Sequence, residues 1–189
     1  MIGADFGELL AAAAAGDERA FAALWRDLQP GLLRYLQVVA PGSAEDIASE
    51  TWVDVVRGLG RFRGDERAFR SWAFTIARHR VADWHRRVLR RPAEPRPLER
   101  LPERAAPDDP AAAAFEAAST LAAIALIGEL PRDQAEVVVL RVVADLDVAE
   151  VAAIVGKRPG AVRVLAHRGL RRLAQRLASQ QRAPRGVTR

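Results

Sequence analysis

The chain has 189 residues, half of them hydrophobic, with 29 Lys and Arg against 24 Asp and Glu for a net charge of +5, three His and no Cys. That length allows one domain or two small ones, and the missing cysteine excludes disulfides, thiol catalysis and cysteine-based zinc sites. No basic stretch precedes an apolar run near the N-terminus, and the longest apolar stretch, 111–127, is interrupted by Glu116, Ser119 and Thr120, so neither a secretory signal nor membrane insertion is expected.

Abundant Ala and Leu with few aromatics predict an all-α fold. Asp17 is placed to cap a helix reaching about Val39, with Phe21, Leu24, Trp25, Leu28, Leu32 and Leu36 as its apolar stripe. Pro41 and Gly42 break it. Ser43, with Asp46 three residues on, resembles a capping box opening a helix to about Leu59, on which Ile47, Trp52, Val55 and Val56 face inward. A loop from Gly60 to Glu66 precedes a helix over about Arg67–Leu89. Five prolines in 92–110, with Pro110 at the edge, predict an extended linker. A second unit over 111–178 then carries a helix over about Ala112–Glu129, a Leu130–Asp133 turn and a helix to about Val143. It closes with a helix-turn-helix: a short helix over about Val148–Val155, Gly156 for the sharp turn, and a second helix opened by Pro159. Val162, Ala166, Gly169 or Leu170, Leu173 and Leu177 repeat at core spacing there. Residues 179–189 read as a polar tail. The architecture expected is thus two small helical domains, 1–91 and 111–178, joined by a proline-rich linker.

Charge is segregated along this plan. Residues 1–60 hold nine acids against four bases, 61–91 hold ten bases against three acids, and 151–189 hold ten bases and no acid. Two basic blocks, each on an amphipathic helix, point to two contacts with a phosphate backbone. On the last helix Arg163, Val164, His167, Arg168, Arg171 and Arg172 point outward, with Arg158 just before it; Arg there can fork onto guanine in a major groove, and Val164 can touch a thymine methyl. In the first block aromatics interleave with Arg, a pattern that suits unstacked single-stranded bases, although Trp72 and Phe74 fit a core role better. Phe62, between glycines and claimed by no core stripe, is the stacking candidate.

Catalysis finds little support. His79 and His85 are six residues apart, which is not a metal-ligand spacing on a helix, and no nucleophile sits in a recognisable turn. No cofactor is expected. An ordinary helix-turn-helix DNA-binding regulator explains residues 119–177 but not the helices at 44–59 and 67–89.

The chain resembles bacterial sigma factors of the extracytoplasmic-function type over about residues 16–178. Gly16-Asp17-Glu18-Arg19-Ala20-Phe21 is similar to the family's opening motif, Ala44–Ile47 with Glu50-Thr51-Trp52 to its polymerase-binding helix, and Phe62-Arg63-Gly64 with Trp72–Arg87 to its promoter-melting region. Leu130–Arg141 and Val148–Leu173 are similar to its upstream-promoter domain. The resemblance implies that Asp46, Ser49, Glu50, Val53 and Asp54 dock on the clamp helices of the largest polymerase subunit, and that the flap of the second-largest subunit is a further contact. It implies that Phe62, Arg63, Arg78, His79, Arg80, Arg86 and Arg87 open and read the −10 element. The −35 element falls to Arg158, Arg163, Val164, His167, Arg168, Arg171 and Arg172. An anti-sigma partner and a cytoplasmic location, with that partner able to hold it at the membrane, are implied as well. The departures are His79 where Asn is frequent, Ser49 where Gln is, and Val164 and Leu165 where Ser and Arg are common.

Overall fold

The computed structural model describes residues 2–90 and 110–182. The expected linker lies outside them except for Pro110, as does the tail beyond Arg182. All regular structure in the described residues is helical. After a single 3-10 turn at Gly3–Asp5 come α1 (Phe6–Ala14), α2 (Glu18–Val39), α3 (Ala44–Leu59), α4 (Glu66–Arg90), α5 (Pro110–Gly128), α6 (Arg132–Val142), α7 (Val148–Val155) and α8 (Pro159–Arg182).

Local chemistry sets most of these boundaries. The Asp17 carboxylate accepts the Ala20 N–H at 2.8 Å and starts α2. Leu24, Leu28, Leu32 and Leu36 are buried along one side of α2, whereas Trp25, expected on that stripe, is 41% exposed. Pro30 sits inside the helix and removes one backbone donor, a loss this buried leucine row outweighs. At α3 the expected capping box does not form: Ser43 makes no side-chain cap bond. Asp46 is one methylene shorter than the Glu that reaches back in such a box. Val56, expected inward, is exposed. The cap of α4 is Asp65, which accepts the Ala68 N–H at 2.7 Å and starts the helix one residue earlier than the pattern predicts. Helix α1, absent from the sequence reading, packs Phe6 against Phe69 with ring centroids 5.7 Å apart. Glu66 fastens the chain ahead of it by accepting the Ile2 and Gly3 N–H groups at 2.7 and 2.9 Å.

The helix-turn-helix is built as its sequence predicts. Asp147 and Glu150 form a reciprocal capping box on α7, and Gly156 ends it at φ 67°, a left-handed conformation that glycine adopts without strain. Helix α8 then packs on α6 through Val162 and Gly169. A Cβ on Gly169 would fall 2.6 Å from Val138 Cγ2, so the close approach requires glycine. Gly169 is therefore the core position, and Leu170 is exposed. Leu177, expected inward, is exposed too, because α8 at about 36 Å outruns α6 at about 16 Å.

The larger difference concerns the two halves. Rather than standing apart, they pack on one another: α2 lies against α5 and α6, and α4 against α7. One continuous set of buried apolar residues runs from Phe6 to Val162. The reason lies in α6, where the consecutive residues Val137, Val138, Val139 and Leu140 are all at most 1% exposed. Four consecutive apolar residues go round most of a helical turn, so that turn must be covered on nearly every side. Helix α8 covers one side and α2 the other, each buried aliphatic side chain contributing about 1.5–3 kcal/mol. Tyr35 of α2 marks the seam. Its ring meets Phe74 edge-on at 5.6 Å, and its hydroxyl donates to Glu136 of α6 at 3.3 Å. Burial, then the Glu136 charge, pushes the phenol well above its ordinary range, so it stays a donor.

Candidate polymerase and nucleic-acid interfaces

Three faces gather the residues singled out from the sequence. The first is the outer side of α3. Ser49 and Glu50 lie three and four residues after Asp46, and Val53 and Asp54 three and four after Glu50, so the five form one stripe. Asp46, Ser49 and Val53 are exposed; Glu50 and Asp54 are half-buried against α4. Arg80 Nε donates to Asp54 Oδ2 at 2.6 Å, and Arg80 Nη1 lies 3.5 Å from Glu50 Oε2. Arg87 reaches Glu50 at 3.4 Å. The acidic stripe is thus partly neutralised by arginines assigned to DNA, which local sequence could not disclose.

The second face is the loop after α3 and the helix α4. Phe62 is half-buried rather than free. Its ring lies 5.5 Å from Phe69 and 5.0 Å from Trp72, and its backbone N–H donates to Gly58 O at 3.0 Å. Trp72 in turn lies so close over Gly58 that a Cβ there would come within 2.6 Å of its ring. The loop is therefore folded back onto an aromatic cluster, and the expectation that no core element claims Phe62 is corrected. Arg63 braces the loop by donating to the Gly60 and Phe62 carbonyls at 3.0 and 2.6 Å. Phe74 is fully buried and Trp72 half-buried, in line with their expected core role. Along α4, His79 is exposed, Arg86 pairs with Asp83, and Arg87 is exposed beside Glu50. Arg78 turns the other way, donating to Glu136 Oε1 at 3.0 Å and to the Val155 carbonyl at 3.2 Å. Arg67, which the sequence reading passed over, makes the same kind of contact: its Nε and Nη2 donate to Glu150 at 2.9 and 3.2 Å. Its membership of the 61–91 basic block was the one available signal.

The third face is the outer side of α8 and the turn before it. Arg158, Arg163, Val164, His167, Arg168, Arg171 and Arg172 are all exposed. Arg172 donates to Gln134 Oε1 at 3.1 Å, a contact that fixes the side chain along α6. Among the described residues Arg158, Arg163, Arg168 and Arg171 have no carboxylate partner, so they offer uncompensated positive charge to a polyanion, with Arg158 and Arg163 at the N-terminal end of α8. Among the described residues no helix is long and apolar enough to cross a membrane.

Both halves of the chain match known proteins. The profile described as Sigma-70 region 2 matches residues 24–91, which is α2 to α4, and that described as Sigma-70, region 4 matches 120–173, within α5 to α8. The sigma factor SigD of Mycobacterium tuberculosis is 38% identical over 178 residues, covering 90% of this chain and 83% of that protein. ShbA of Streptomyces griseus is 38% identical over 178 residues, covering 88% of this chain and 92% of that one. In fold, the chain matches the sigma factor RpoE, solved with the anti-sigma factor NepR from Bartonella quintana, at a TM-score of 0.62 and 18% identity over 84% of this chain and 96% of that one. With both matched regions seated on the helices that carry the acidic stripe and the two basic faces, the chain belongs to the sigma-70 family, as an extracytoplasmic-function sigma factor that binds core RNA polymerase and recognises promoters.

Proposed function

We propose that promoter recognition is divided among the three faces. The α3 stripe, led by Asp46, Ser49 and Val53 with Glu50 and Asp54 behind them, docks on the clamp helices of the largest polymerase subunit. The Phe62 loop, with Arg63, His79, Arg80, Arg86 and Arg87 of region 2 and with Arg78 once it is released, opens and reads the −10 element. The first turns of α8 enter the major groove of the −35 element, where Arg163, Val164, His167 and Arg168 meet base edges and Arg158, Arg171 and Arg172 meet phosphates. Region 4 meets the flap of the second-largest subunit. The chemistry of RNA synthesis stays with the polymerase, and the sigma chain supplies only binding and positioning.

The observation that carries this reading is the exposed face of a capped helix-turn-helix on which Arg158, Arg163, Arg168 and Arg171 have no carboxylate partner among the described residues. The reading of a regulator acting without polymerase is disfavoured, since it leaves the region 2 match over 24–91 without a role. An anti-sigma partner in the cytoplasm, soluble or membrane-tethered, fits the fold likeness to a sigma factor solved with one. The test is run-off transcription with core polymerase on a random promoter pool. Transcripts sharing a −35 and a −10 element, and lost with Asp46→Arg, are expected; equal transcription without the chain overturns the proposal.

A further inference from the structure

The outer face of α8 has an apolar centre. Val162 and Gly169 pack on α6. Val164 lies about 200° round the helix from Val162 and about 140° from Gly169, so it points almost directly away from the packed side. It is 47% exposed. Gly160 precedes it by one turn on the same face, and His167, Arg168 and Arg171 follow within two turns. All of them are exposed. Helix stability does not account for the first two. The branched Cβ of a valine disfavours a helix, and an exposed side chain contributes little burial in return. Gly160 is not among the left-handed glycines, and a Cβ on it would meet nothing within 4 Å. The fold therefore accepts alanine there, which would make the stronger helix. Two neighbouring positions thus give up helix stability for a low, smooth, apolar surface at the middle of a cationic face.

We propose that Val164 reads the C5 methyl group of one thymine in the −35 element, and that Gly160 leaves the clearance for that base pair to approach the helix. This pair is then selected by an apolar contact and not by a hydrogen bond. Valine has no donor or acceptor. Set over a purine acceptor or the cytosine amino group, it would strip water from a polar atom and return no hydrogen bond. Thymine alone among the four bases presents a methyl group in the major groove. Arg163, one residue before, and Arg168, one turn after, carry the polar reading on either side. This inference rests on the assignment of the first turns of α8 to the −35 element, and it names the base and the group read at their centre.

The probe is the promoter recovered from the random pool by run-off transcription, bound by holoenzyme reconstituted from core polymerase and the full chain. Each thymine of its −35 element, on either strand, is replaced in turn by deoxyuridine, which lacks only the methyl. One replacement is expected to weaken binding about three- to fivefold, the size of one buried methyl group, and the others to leave it unchanged. Val164→Ala is expected to bind the thymine and deoxyuridine forms of that step alike. Gly160→Ala is expected to raise the melting temperature of the free chain while weakening promoter binding about fivefold or more, as overpacking does. Indifference to deoxyuridine at every thymine overturns the methyl contact. A methyl effect that persists in Val164→Ala belongs to another residue and overturns the role of Val164. Unchanged binding by Gly160→Ala overturns the clearance. A pool that yields no shared −35 element overturns the functional reading underneath instead.

Discussion

Arg80 and Asp54 are joined by a 2.6 Å hydrogen bond between α4 and α3, so a residue proposed to open DNA is held by one proposed to dock on polymerase. The bond, with the charges of Asp54 and Glu50, lifts the guanidinium further above its ordinary range against the opposing effect of burial. Both side chains are less than a third exposed, 29% and 28%, which takes the pair out of the class of surface bridges that contribute nothing measurable. If Asp54 docks polymerase and Arg80 contacts DNA as proposed, this bond joins the two contacts energetically. A double-mutant cycle with Arg80→Ala and Asp54→Ala, read by urea unfolding, is expected to give a coupling energy of about 0.5–1 kcal/mol. Strictly additive single effects refute the coupling.

Asp46 lies on the same stripe but is exposed. Asp46→Arg is expected to leave the helical circular dichroism and the unfolding midpoint unchanged while abolishing capture of core polymerase. Retained capture moves the docking surface elsewhere.

The Phe62 ring packs on Phe69 and Trp72, so its proposed part in strand opening is added to a structural one. Phe62→Ala is expected to cost about 2 kcal/mol of stability, below the range for a fully buried ring because the site is half-exposed. Permanganate footprinting should show strand opening lost more than closed-complex binding. Equal losses in both identify Phe62 as structural only.

Arg168 stands on the outer face of α8 with no carboxylate partner among the described residues. Arg168→Ala is expected to weaken −35 duplex binding by about 1–3 kcal/mol and to relax the preference at one base position. A uniform loss across all sequences would reassign it to phosphate.

His85 makes the folded chain sensitive to acid. Its Nε2 is buried without a partner; burial, then the Arg132 charge, pushes the imidazole below its ordinary value of 6.5, against the Val39 carbonyl and Glu136. The folded chain thus keeps His85 neutral while the unfolded chain takes a proton, so the unfolded state binds more protons as pH falls through about 6.5. Stability is expected to be flat above that pH and to decline below it. Urea midpoints compared between about pH 7.5 and about pH 5.5 should fall for the native chain and fall less for His85→Gln, the histidine term being absent. Identical slopes for the two remove His85 as the cause.

Much of the fold was legible because it rests on local signals. Asp17, the Asp147–Glu150 box and Gly156 act within one helical turn, and the leucine row of α2 repeats at the helical period. The bare arginines of α8 were legible too, since no acid follows Glu150 in the chain. The same reasoning failed at Ser43, where a plausible cap lacked the reach, and at Phe62, whose partners arrive from α4.

The amino-acid order by itself determined that α2, α7 and α8 are helical, that Asp17 and the Asp147–Glu150 box cap the first two, and which face of α8 carries its arginines, because those properties need only neighbours within a few residues. Only the tertiary structure decided that Tyr35 and Arg78 meet Glu136 across separations of 101 and 58 residues, and that Arg67 belongs to Glu150. Those pairings follow from the apolar turn Val137–Leu140 of α6, which draws α2 over it and brings the carboxylates of one half within reach of the arginines of the other.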